Sequence, residues 1–113
     1  MVTVDMLRDF GANVDEGLGR CMGSEAIYLK LVTSITSEKN FDMLKQAIES
    51  YDLGAAFEAA HALKGVAGNL ALTPIFEKVS ELTELLRART EMDYTDLLNE
   101  IMLLKEKLAG LCA

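Results

Sequence analysis

Tryptophan is absent from this chain of 113 residues, proline and histidine occur once each, cysteine twice, and aromatic residues make up only 6%. Sheets draw on aromatic and β-branched side chains, so a composition weighted toward Leu, Ala, Glu, Lys and Met favours helix instead. Cys21 and Cys112 fit no metal-ligand or redox spacing, and both are expected to remain thiols. Neither Gly-x-x-x-x-Gly-Lys-Ser/Thr nor Gly-x-Gly-x-x-Gly occurs, which argues against ATP binding within these residues.

Positive charge is also scarce. Eleven Lys and Arg stand against eighteen Asp and Glu, a net charge of −7, and the basic residues are scattered. Nucleic acid and anionic membranes need a basic patch, so neither is an expected partner. Asp5, Arg8 and Asp9 interrupt the first apolar residues, which leaves no signal-peptide core and no span long enough for a bilayer; the chain reads as cytoplasmic.

What is present is amphipathic helix. Length sets one domain over residues 1–113. Thr3 caps a short helix over 3–11 that carries Leu7 and Phe10, and the glycines at 11, 17, 19 and 23 then argue against regular structure, with one apolar turn at Val14 and Leu18 as the exception. Ser24 opens a helix with Ile27, Tyr28, Leu31 and Ile35 on one face. Asn40 caps another, with Phe41, Leu44, Ala47 and Ile48 inward, and Asp52 caps the helix that follows Tyr51. Thr73-Pro74 separates that helix, ending near 71, from one with Ile75, Val79, Leu82 and Leu86 as its stripe. Asp93 opens the last, with Tyr94, Leu97, Leu98, Ile101, Leu104 and Leu108 inward and Gly110 as its stop. Short connections and the lack of strand-like alternation predict an all-α fold: an antiparallel four-helix bundle, core about 24–109, with a short additional N-terminal helix and a Gly-containing connection over 1–23.

The most informative stretch is Ala60-His61-Ala62-Leu63-Lys64-Gly65-Val66-Ala67-Gly68-Asn69-Leu70. With His61 at zero on a helical wheel, Lys64, Gly65 and Gly68 fall at about −60°, +40° and −20°, with Phe57 and Glu58 flanking the same stripe. Ala56, Ala60, Leu63, Ala67 and Leu70 cluster on the opposite side, so the imidazole faces water. A mid-helix glycine costs roughly 1 kcal/mol relative to alanine, and two beside one exposed histidine imply close approach by another macromolecule. An exposed neutral imidazole offers a ring lone pair for attack on phosphorus, and a lysine three residues on supplies a mobile counter-charge.

Ala-His-x-Leu-Lys-Gly followed by small residues and Asn-Leu resembles the signature of histidine-containing phosphotransfer (HPt) domains. The runs Ile27–Val32, Phe41–Ile48 and Tyr51-Asp52 look like that family's approach to its motif, and the likeness extends over about 24–108. The resemblance implies a non-enzymatic relay in which His61 takes a phosphoryl group from the aspartyl phosphate of one response-regulator receiver domain and passes it to another. It also implies that Lys64 sits beside the phosphoryl oxygens, and that Gly65 and Gly68 leave room for the receiver. The family often has glycine where this chain has Ala71. With no phosphate-cradling loop or metal site in the sequence, no cofactor is expected to bind stably, and Mg²⁺ would be supplied at the partner receiver. A hybrid sensor kinase is a further candidate partner, and the chain is expected to be a monomer.

Alternative roles remain for several residues. Gly65 and Gly68 would also suit tight helix packing, and Phe57 would suit either the core edge or a partner contact. Thr83, Glu84 and Arg87 lie on the next helix within possible reach of a phosphate, but no spacing places them there. An adaptor that docks on a receiver or kinase without phosphorylation is the alternative function. A metal site built on His61 and Glu58 is the weakest candidate, for want of a second ligand at i+4.

Overall fold

Side chains that accept hydrogen bonds from exposed backbone amides open four of the seven helices. In the computed structural model, which describes residues 1–113, these helices are α1 (Val4–Phe10), α2 (Val14–Arg20), α3 (Glu25–Ile35), α4 (Asn40–Glu49), α5 (Leu53–Asn69), α6 (Thr73–Arg87) and α7 (Thr95–Cys112). Thr3, Ser24 and Asp52 cap α1, α3 and α5 as the sequence predicts, accepting from Met6, Ile27 and Ala55 at 3.2, 3.3 and 3.1 Å. Each such cap satisfies an amide that the helix itself leaves unpaired, and is worth about 1 kcal/mol.

The bundle is formed by α4, α5, α6 and α7. Short turns join α4 to α5 and α5 to α6, so neighbours run antiparallel, and α7 closes the ring against α6 and α4. Ala56, Ala59, Ala60, Leu63 and Ala67 form the buried face of α5, and their small size lets α4 and α6 approach closely. Against them pack Phe41 and Leu44 of α4 and Ile75, Val79, Leu82 and Leu86 of α6, all in one apolar cluster with Ile101 and Leu108 of α7.

The N-terminal part departs from the sequence reading. It holds three helices, because residues 14–20 form α2 despite their glycines. Asn13 supplies the cap, accepting from the Glu16 amide at 3.3 Å. Gly17 is required for contact: a Cβ there would lie 2.4 Å from Cε1 of Tyr28, whose fully buried ring rests on the helix. The inward face of α3 is Tyr28, Val32 and Ile35, while Ile27 and Leu31 remain 51% and 42% exposed. Asn40 is the first residue of α4 rather than its cap, and its Nδ2 donates to Glu38 at 2.6 Å. Asp93 stands two residues before α7, accepting from the Thr95 amide at 2.9 Å, and the Thr95 hydroxyl together with that amide holds its carboxyl below the usual range. Gly110 does not stop α7, which continues to Cys112.

The N-terminal segment is fastened over the turn between α5 and α6. The Asn13 amide donates to the Ala71 carbonyl at 2.9 Å, the Tyr28 hydroxyl to Leu70 at 2.9 Å, and Arg20 to Gly68 at 2.6 Å. Carbonyls at a helix C-terminus have no partner within the helix, so these three bonds complete the end of α5. Ala71 itself takes φ 54°, the left-handed region in which glycine is unstrained.

Candidate functional site

His61 lies in the middle of α5 with its imidazole exposed, opposite the buried alanines. One turn earlier, the Phe57 ring stacks on it, with centroids 5.8 Å apart and planes 16° from parallel. The Arg87 guanidinium covers the Phe57 ring at 5.1 Å from its centroid. The resulting column of Arg87, Phe57 and His61 runs from α6 to α5 and restricts the imidazole on one side. An aromatic pair is worth about 0.5–1.5 kcal/mol, and an exposed cation–π contact about 0.5–1 kcal/mol. Phe57 is therefore half-buried, with its ring engaged by His61 and Arg87.

On the other side of His61, Lys64 leans toward α6 and reaches Glu84 at 4.0 Å, while Glu84 also pairs with Arg87 at 3.4 Å. Glu84 is exposed, and pairs of this kind contribute roughly 0–1 kcal/mol, so Lys64 is lightly held. Thr83 faces the core instead, donating to the Val79 carbonyl at 2.7 Å. Of the three α6 residues within possible reach, Glu84 and Arg87 thus border the site and Thr83 does not.

His61, Lys64, Gly65 and Gly68 share the wall of a shallow basin of about 320 Å³ with Arg20 and Phe76. The two glycines differ. A Cβ at Gly65 would meet nothing within 4 Å, whereas one at Gly68 would lie 3.0 and 3.1 Å from the Phe76 ring. Gly68 accordingly lets α6 pack closely against α5, and its carbonyl receives Arg20. Glu58 is exposed on α5, beside Phe57 in sequence. No group of three or more His, Cys, Asp and Glu side chains is placed to hold a metal ion.

Sequence reasoning brought together His61, Lys64, Gly65 and Gly68 but missed Arg20. The residue lies forty-eight positions before Gly68, on a helix that the glycines concealed, so no local periodicity links it to the site. The nearest signal is its spacing of four from Glu16, with which it forms a 2.5 Å ion pair along α2.

No helix is long and apolar enough to cross a membrane. The family model for the Hpt domain matches residues 33–113, from the last turn of α3 through the whole ring of four. No curated protein and no solved structure matches the chain.

Proposed function

This chain belongs to the Hpt domain family, and from that membership we propose that it carries phosphoryl groups in a multistep phosphorelay, with His61 as the acceptor. The single observation that carries the assignment is the exposed imidazole at mid-α5, backed by Phe57 and followed by Lys64 along an open basin. Hpt domains are phosphocarrier modules rather than enzymes, and the chemistry is shared with the partner.

In the forward step, the lone pair on the outer ring nitrogen of His61 attacks the phosphorus of a receiver's aspartyl phosphate. The P–N bond forms, the P–O bond to the aspartate breaks, and the carboxylate leaves with that electron pair. The proton on the other ring nitrogen takes no part in the transfer, so no base on this chain is needed. Mg²⁺ and the groups that stabilise the transferring phosphoryl belong to the receiver.

Lys64 is the counter-charge for the product. A dianionic phosphoryl on His61 competes well against the single carboxylate of Glu84 for an ammonium held at 4.0 Å, and charge-assisted bonds to phosphate exceed an exposed ion pair in strength. Gly65 leaves the basin floor open for the receiver's loops, and Glu58, Phe57 and Gly68 line the approach. A second receiver, or the receiver of a hybrid sensor kinase, then takes the group by the reverse reaction. The chain acts as a cytoplasmic monomer in this reading.

Incubation with a receiver charged by a small acyl phosphate, in Mg²⁺, tests the assignment. The expected product is an acid-labile, alkali-stable phosphoryl adduct on the wild type and none on His61→Gln. Equal binding of both proteins by a receiver that labels neither would favour the adaptor function instead.

A further inference from the structure

Arg20 lies upstream of the stretch that the family model matches, yet its side chain lines the basin that holds His61 and Lys64. It arrives there because α2 is fastened onto the end of α5 through Asn13, Arg20 and the Tyr28 ring. One part of the guanidinium is occupied, with Nη1 donating to the Gly68 carbonyl at 2.6 Å and Nη2 to Glu16 at 2.5 Å. A guanidinium carries five N–H donors in a planar fork, and this one keeps 46% of its exposure, so donors remain for a partner. Being held, it also loses less rotamer freedom on pairing than a free lysine does.

The position limits what Arg20 can touch. Gly68, to which Arg20 is hydrogen-bonded, lies seven positions along α5 from His61, about 10 Å along the axis, so Arg20 is anchored at the Gly68 end of the basin that His61 lines. We propose that Arg20 is a receiver-recognition residue, pairing with a carboxylate on the receiver face around the phosphorylated aspartate; this rests on the phosphorelay reading above. A carboxylate is the fitting chemistry because the fork matches it bidentately, and because a face that holds Mg²⁺ is furnished with carboxylates. In a chain of net charge −7, a cation on the docking rim also offsets the general repulsion of an acidic face.

Two reactions on the full chain separate recognition from mere fastening of α5. Wild type, Arg20→Gln and Arg20→Lys are each phosphorylated by phosphoramidate, which needs no partner, and by a panel of phosphorylated receivers with Mg²⁺ at low and high salt. Phosphoramidate labelling is expected to be equal for all three. With receivers, Arg20→Gln is expected to raise the half-saturating concentration about two- to fivefold, the range one exposed ion pair is worth. It leaves the rate at saturation unchanged and flattens the salt dependence, while Arg20→Lys keeps that dependence. Equal half-saturation for wild type and Arg20→Gln across the panel would overturn the proposal. So would a parallel fall in phosphoramidate labelling and melting temperature, which would make Arg20 a clamp on α5 alone. A wild type labelled by phosphoramidate but by no receiver would overturn the phosphorelay reading, and this inference with it.

Discussion

The imidazole of His61 is held from one side only, by a Phe57 ring that the Arg87 guanidinium also covers. The open side faces Lys64 and the exposed Gly65, and Gly65 is where stability and function are expected to part. A methyl group there meets nothing within 4 Å, so Gly65→Ala gains helix propensity of about 0.5–1 kcal/mol and raises the melting temperature by roughly 2–5 °C. The same methyl narrows the basin, and receiver-dependent labelling of His61 is expected to fall while phosphoramidate labelling holds. Thermal melts and the two labelling reactions check both halves. The stripe of His61, Lys64, Gly65 and Gly68 was legible in the sequence because helical spacing alone places these residues on one face. The contribution of Arg87 was not, since no spacing within α5 shows where α6 brings it over the Phe57 ring.

Among the elements, α2 is the one that local rules misjudge. Gly17 and Gly19 weaken a helix in isolation, and only the Tyr28 ring lying on Gly17 shows why a larger residue is excluded. Gly17→Ala is expected to destabilise the chain by about 1–3 kcal/mol in denaturant unfolding, because a buried ring that also donates to Leu70 has no room to retreat. Burial pushes the Tyr28 phenol above its usual range, and does the same for Tyr94 near the start of α7. A group raised in this way contributes stability that is complete below about pH 10, the unfolded value, and is lost as pH rises through the folded value. Unfolding midpoints are therefore expected to hold up to about pH 10 and fall beyond it, with the loss in a Tyr28→Phe variant smaller than in wild type. On α3, by contrast, periodicity misassigned Ile27 and Leu31 while omitting Val32, because several apolar residues crowd each turn and only packing decides which face turns inward.

At the scale of the whole molecule, a ring of four antiparallel helices supports the site and three short helices close one end of it. The ring was readable from sequence: its stripes at three and four, the Asp52 cap and the Thr73-Pro74 break all act locally. How the N-terminal helices sit on the turn after α5 depends on contacts spanning more than forty residues, as between Arg20 and Gly68 or Tyr28 and Leu70, and these leave no periodic trace. The central proposal is carriage of a phosphoryl group, which would require both loading and unloading at one side chain. The most direct measurement follows label from a charged receiver, through the purified chain, to a second uncharged receiver, with wild type and His61→Gln in parallel. The predicted result is label on the second receiver with wild type only, passing through an acid-labile intermediate on the chain. Transfer to the second receiver at the same rate with His61→Gln, or no labelled intermediate on a wild type that binds both receivers, would contradict the account.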